Sequence, residues 1–406
     1  MGRSIVNKSI YDTPLQKALI FIICLGRMDG VLYEEQLVFA FLILLSGFGL
    51  LINFFRGSGL GKEKFVLWQT ALLVFFFLSI FWAYSREQAT TIWIAYLGRS
   101  IVMLYVFSYL FRSKNCDYAC KAFITTTAIV NLHFLLSFGI SGMLAARAET
   151  LELGQGWNAN ALGMQSVVSC FFILSQINSH NKTPLYKYII LPFLVFFILL
   201  TGSKTCFLLL FGSTLLSLYM SSNKRMLMLP IVALLVGIII YLVFNVPFLY
   251  EVMGERLETM INGFLTYDID STTSSEGSAS DNIRLAMLFK GWLWFLEKPI
   301  LGNGIGNFQT LFGEINNGKE FYAHNNYIEL LVDTGIIGAL LYYWIYIYVI
   351  RKSFIRGSRY DLAVASFFIV LMIAEFGHVS YLVFCIQFLL CIVLCRLGRT
   401  SQIEKI

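Results

Sequence analysis

The sequence predicts an all-α polytopic membrane protein with about 12 transmembrane helices and one large extracytoplasmic loop carrying short amphipathic helices. Three observations predict it. The 406 residues are 58% hydrophobic and only 13% charged, and the mean hydropathy of +0.72 exceeds what a soluble core requires. Apolar runs recur at the length needed to cross ~30 Å of hydrocarbon. Lysines and arginines collect in alternate connections, as positive charge retained on the cytoplasmic side demands.

In order, the apolar runs cover 15–28, 36–55, 65–84, 92–111, 122–144, 159–177, 186–201, 205–220, 227–246, 326–350, 361–377 and 380–397. The first has the length of a signal-peptide core, but no small-residue cleavage site follows it, so it counts as a helix. With both termini inside, the cytoplasmic connections hold Arg3, Lys8 and Lys17, then Arg56, Lys62 and Lys64, then Arg112, Lys114 and Lys121. Further along they hold Lys182 and Lys187, Lys224 and Arg225, a cluster from Arg351 to Arg359, and Arg396, Arg399 and Lys405. These are most of the 30 basic residues, so the net charge of +6 belongs to inner loops. No basic stripe suits nucleic acid.

The eight cysteines fall in spans or inner connections, and none is paired in an outer loop. Cys116 with Cys120 and Cys391 with Cys395 have one-turn helical spacing rather than that of a zinc site, so they read as small apolar residues and no metal is assigned. No cofactor is expected. Three regions follow: helices 1–9 over residues 1–246, a large extracytoplasmic loop over 247–324, and helices 10–12 over 325–406. The loop's centre, YDIDSTTSSEGSASDN, is polar and of low complexity, which reads as a mobile loop. On either side, EVMGERLETMINGF and NIRLAMLFKGWLWFLEK space apolar residues as helices lying on a membrane surface do.

Chemistry concentrates on the outer side, where ionisable groups beside lipid are costly and usually kept for function. Lys204, in LLTGSKTCFLLL, sits where two apolar runs meet. It reads either as an anion-binding cation or as a lysine snorkelling from a helix end. Arg284 opens a helical pattern, where backbone N–H groups also favour anions; its plain alternative is an exposed loop arginine. Arg256 and Arg99 are further cations within reach. His324 starts the helix of AHNNYIELLVDTGIIG, and an imidazole of pKa ~6.5 can take a proton from a hydroxyl at neutral pH. Asn325 reads as its N-cap. Glu329, one turn on, either orients His324 or serves as a carboxylate at a helix start. Gly302, Gly304 and Gly306 in PILGNGIGNF read as a tight turn, since no strand precedes them as a dinucleotide site requires.

At these residues the sequence resembles the O-antigen ligase and polymerase family of bacterial surface-polysaccharide assembly. The resemblance covers roughly residues 150–350, carried by PILGNGIGNF with AHNNYIELLVDTGIIG and more weakly by GQGWNANALGM, LLTGSKT and the Arg284 segment ahead of Trp292 and Trp294. It implies a metal-independent enzyme of the inner membrane, facing the periplasm. Its substrates would be undecaprenyl-pyrophosphate-linked oligosaccharides, as donor and as acceptor. By the same resemblance His324 is the catalytic histidine and Arg284 the arginine that holds the pyrophosphate. Lys204 stands where the family commonly carries a second arginine, and lysine keeps the charge but loses the planar fork; Arg256 or Arg99 would compensate. A flippase and a chain-length regulator are the protein partners implied.

A polymerase is expected over a ligase, because the chain is short and the paired asparagines of AHNNYIELL suit repeat-unit polymerases. Deletion separates them: single-repeat glycans on the usual carrier mark a polymerase, and unattached long chains mark a ligase. A lipid-linked glycan flippase would explain many spans and cations without catalysis, but it should distribute polar residues through central spans of both halves. A carboxylate base in the first outer loop, among Asp29, Glu34 and Glu35, is disfavoured by the loop's shortness. The DxD of Asp268 and Asp270 lies on the side without nucleotide sugars.

Overall fold

The computed structural model describes residues 12–26, 35–55, 63–153, 159–177, 185–250, 258 and 279–403. Among the described residues every regular element is helical. Each apolar run of the sequence lies on a helix: α1 (Pro14–Gly26), α2 (Glu35–Phe55), α3 (Lys64–Ser79), α4 (Arg86–Ser113), α5 (Cys116–Leu153), α6 (Ala159–Ile177), α7 (Tyr186–Thr201), α8 (Lys204–Ser221) and α9 (Arg225–Asn245), then α12 (Asn326–Arg356), α13 (Arg359–Ala374) and α14 (Phe384–Ile403). Between them stand two helices of the large connection, α10 (Ala279–Glu297) and α11 (Asn307–Ile315).

Among the described residues six helical segments are long and apolar enough to cross a membrane: Lys64–Trp82, Arg86–Ser113, Cys116–Met143, Lys204–Ser221, Met226–Asn245 and Asn326–Arg356. Shorter apolar helical stretches are Pro14–Gly26, Val38–Asn53, Asn160–Ser175, Lys187–Thr201 and Phe384–Gly398. The outer faces require an apolar solvent, because α9 carries exposed Met226, Leu227, Leu234 and Tyr241 and buries almost nothing. Exposed apolar surface of that extent is stable only against lipid or another apolar partner.

Inside, buried Phe, Tyr, Leu and Ile from α1 to α8 and α12 to α14 form one core. Its tightest pair is α8 against α13, antiparallel. A Cβ on Gly212 would meet Val370 at 3.2 Å, one on Gly377 would meet Thr205 Oγ1 at 3.6 Å, and Ser366 Oγ donates to Met220 at 3.4 Å. The start of α8, with Lys204, therefore lies beside the connection that follows α13. That connection runs from Glu375 to Val383, longer than the two apolar runs flanking it suggest. A smaller second core joins α10, α11 and the start of α12 through Met287, Phe308, Leu311, Phe312, Ala323 and Val332.

The glycine turn of residues 299–308 connects α10 to α11 and is locked onto a break in α12. Gly335 has φ 62° and ψ −170°, which interrupts that helix. The break strands backbone groups that must find partners in a low-dielectric interior. Val332 O accepts the Asn303 N–H at 2.8 Å, while Ile336 N–H donates to Pro299 O at 2.9 Å and Ile337 N–H to Ile300 O at 3.4 Å. Buried Asp333 accepts Gly306 N–H and Phe308 N–H, each at 2.7 Å, closing the start of α11. Tyr84 N–H donates to Asn303 O and Ser85 N–H to Asn307 Oδ1, which ties the turn to the start of α4 as well.

Replacement at the break tests this account against a control glycine. A Cβ at Gly335 would lie 2.3 Å from Ile300 O, whereas one at Gly318, also at positive φ (78°), meets nothing within 4 Å. Gly318→Ala should cost about 1–2 kcal/mol from its backbone conformation alone. Gly335→Ala should lower the thermal midpoint of the detergent-purified protein by several degrees more, because the turn must also be displaced. Equal shifts would show that the break does not depend on the turn.

Candidate functional site

The site begins where the polar connection after α11 enters α12. Asn325 caps that helix, its Oδ1 accepting Tyr327 N–H at 3.0 Å and Ile328 N–H at 3.1 Å, as its position implies. His324, immediately before the cap, holds φ 51°, a left-handed conformation uncommon for a side chain of its size and often kept at functional positions. The turn takes its imidazole off the face of α12. The Tyr322 ring lies against it, with centroids 4.0 Å apart.

Glu329 occupies a different role from a direct partner of His324. Its carboxylate is buried and accepts Ala323 N–H at 2.8 Å and Tyr381 O–H at 3.3 Å. Since His324 lies outside the helix, one-turn spacing does not bring the two side chains together. Glu329 instead holds the backbone one residue upstream of the histidine.

Arg284, on the first turns of α10, is exposed. The crossing of α10 with α12 brings it to the histidine: a Cβ on Gly291 would come within 2.4 Å of Ile328, and Met287 shares a core with Ala323. Its charge reaches both Tyr322 and His324. Burial first, and then the Arg284 guanidinium and His378, push the His324 imidazole well below its usual value, to about 4. The imidazole is therefore neutral at physiological pH, with a cation beside it.

Lys204 opens α8, whose N-cap Ser203 accepts Cys206 N–H at 3.4 Å. Its neighbour Thr205 packs on Gly377, one residue from His378. Arg99 lies within α4 and donates to Leu382 O, and its charge acts on Tyr381, the partner of Glu329. Arg256, Asp29, Glu34, Asp268 and Asp270 lie outside the described residues.

The sequence reading missed the element that joins these parts, the connection 375–383. Asn326 clamps it: its backbone N–H donates to Glu375 O at 2.9 Å, its Nδ2 to Tyr343 Oη at 2.8 Å and Glu375 at 3.3 Å, and its Oδ1 accepts Ser380 N–H at 3.0 Å. Tyr343 donates to Glu375 at 2.7 Å, and Ser380 bonds both Glu375 and Tyr342. The available signal was a carboxylate and a histidine, Glu375 and His378, at the junction of two apolar runs, where ionisable residues mark a site by default. Among the described residues no group of His, Cys, Asp and Glu is placed to hold a metal ion. The arrangement can present cations to an anion and a neutral imidazole to a hydroxyl.

Residues 189–343 match the family model described as O-Antigen ligase, in agreement with the O-antigen ligase and polymerase resemblance of the sequence. The matched range includes Lys204, Arg284 and His324 and ends before the connection 375–383. No curated protein matches the chain.

Both imidazoles of the site, His324 and His378, are pushed down to about 4, burial being the first cause in each. A base made harder to protonate by folding stabilises the fold fully above its unfolded pKa of ~6.5, and that contribution is lost as pH falls through the folded value. The thermal midpoint should therefore drop between pH 6.5 and 4. Gln at both positions should flatten that drop, and an identical slope in wild type and double variant would contradict the electrostatics described.

Proposed function

Taking residues 189–343 as an O-antigen ligase-type domain, we propose that the chain is a membrane glycosyltransferase that lengthens a lipid-linked glycan. The donor is a glycan on undecaprenyl pyrophosphate, and the acceptor is the non-reducing end of another lipid-linked repeat unit. The reaction takes place at the periplasmic face of the inner membrane, with both termini in the cytoplasm. A flippase supplies the repeat units and a chain-length regulator limits the product. The observation that carries this reading is the convergence of Arg284 and the Lys204 end of α8 on the surroundings of one neutral histidine.

Arg284 and Lys204 bind the pyrophosphate and stabilise the negative charge that develops as it leaves. Arg256 would add a third cation. A ring nitrogen of His324 accepts the proton of the acceptor hydroxyl. The hydroxyl oxygen forms a bond to the anomeric carbon as the bond from that carbon to the pyrophosphate oxygen breaks, and the electron pair departs on undecaprenyl pyrophosphate. Attack opposite the leaving group inverts the anomeric centre.

The electrostatics favour this order of events. In the free site Arg284 opposes protonation of His324. A bound pyrophosphate offsets that charge and makes the imidazole a better base at the moment a donor is in place. A nearby guanidinium thus withholds base strength until its anion arrives.

A ligase, which transfers the glycan to a different acceptor, uses the same machinery, and the description of the matched family model supports it as the second reading. Arg284→Ala and His324→Ala should each reduce glycan transfer by roughly 100-fold or more, the usual range for losing a charge stabiliser or a general base. Lys204→Arg should retain activity. The readout is the chain-length ladder of cell-surface glycan at matched protein levels, and an unchanged ladder in either alanine variant would remove this mechanism. In the deletion strain, single repeats on the carrier assign a polymerase and unattached long chains a ligase.

A further inference from the structure

His378 is the one polar side chain of residues 375–383 that the surrounding network leaves unused. Glu375, Ser380 and Tyr381 all have hydrogen-bond partners, and the backbone on either side is held by Asn326 and Arg99. The His378 side chain is 9% exposed, and its Nε2 is buried with no partner. A buried polar atom without a partner costs on the order of 1–3 kcal/mol, and such atoms in native folds call for an explanation. Rigid backbone around a residue with no hydrogen bond of its own is the arrangement of a group held ready for a ligand.

Its place narrows the ligand. On one side Gly377 packs against Thr205, next to Lys204; on the other, His378 is near enough to His324 to oppose its protonation. His378 therefore lies between the cation at the start of α8 and the base before α12. Burial keeps its own imidazole neutral. A neutral imidazole offers one donor and one acceptor, which matches a sugar hydroxyl, whereas a phosphate calls for cations. In its resting position the ring makes no hydrogen bond, so committing it to a ligand breaks none.

We propose that His378 is the acceptor-binding residue of this site, its imidazole hydrogen-bonding a hydroxyl of the acceptor sugar and holding it against His324. This rests on the transferase reading above and adds the acceptor half that the residues matched to the family do not supply. The proton leaves the hydroxyl for His324. His378 positions the sugar and takes no part in bond breaking.

The test uses the full chain in lipid nanodiscs, with lipid-linked repeat units from the deletion strain as donor. As acceptor it uses the same repeat unit on a pyrophosphate-free alkyl lipid, which can accept but cannot donate. His378→Leu should raise the acceptor KM at least tenfold while undecaprenyl pyrophosphate binds as in wild type. His378→Gln, which restores an amide donor and acceptor, should bring KM most of the way back. An acceptor KM within twofold of wild type in His378→Leu would overturn the proposal, as would parallel losses of pyrophosphate binding and transfer that glutamine does not rescue. If the wild-type protein itself transfers nothing to this acceptor or to lipid-linked units, the transferase reading falls and the proposal with it. Normal wild-type transfer with an indifferent His378→Leu removes the proposal alone.

Discussion

The break in α12 at Gly335 is the constraint on which the site depends. An unbroken helix would satisfy its own peptide groups and offer nothing to the connection before it. Once Gly335 adopts φ 62°, Val332 O and the N–H groups of Ile336 and Ile337 need partners, and residues 299–303 supply them. In a membrane interior each unmet group would cost several kcal/mol, so the turn and the break are stable only together. The turn fixes the end of α10, whose first turns carry Arg284. The broken helix begins at the cap beside His324. Two residues forty positions apart are thereby held by a single interlock.

Asp333 makes the interlock specific. Its carboxylate is fully buried and its two oxygens each accept a backbone N–H from the start of α11. A carboxylate at a helix N-terminus is well matched to the partial positive charge there, and two charge-assisted bonds offset part of its desolvation. The same principle appears again at Glu329, which accepts Ala323 N–H. Both buried acids of this helix are used to hold the backbone of a neighbouring segment, and neither is available as the base. That is consistent with the proposal that His324 accepts the proton.

The helices were legible from hydropathy because each apolar run is long and bounded by charges or glycine, and the caps at Ser203 and Asn325 follow local chemistry. The glycine turn was legible for the same reason: three glycines within five residues all take positive φ. Partnerships across the fold were not. Nothing near Glu329 announces Tyr381, and nothing near Asp333 announces Gly306, because those pairings exist only once α12 breaks. The connection 375–383 escaped notice for a related reason. Its Glu375, His378 and Ser380 are scattered among Phe, Gly and Val, so an averaged hydropathy carries the two spans almost into contact, and Asn326 from another helix is what holds the segment open.

The division of the interior into two cores bears on how the site would handle the lipid-linked substrate proposed above. His324 stands where the two cores meet: Ala323 before it belongs to the smaller core, and Asn326 after it is tied to Tyr343 and the connection 375–383. Arg284 stands on α10, which is held by the smaller core of Met287, Phe308, Phe312 and Val332 and has exposed Trp292, Leu293 and Leu296 along its outer side. Fewer buried contacts mean a lower free energy for local displacement. In the proposed reaction the pyrophosphate-binding guanidinium would thus be mounted on the more easily displaced unit, and the base at the junction of that unit with the main core. Geometry at the hydroxyl is demanding, since small errors there cost rate steeply, whereas a phosphate-binding guanidinium works over a longer range. Compliance would then lie on the side where the lipid-linked donor of the proposed reaction has to enter and leave, and the ties of Asn326 would hold the histidine for alignment.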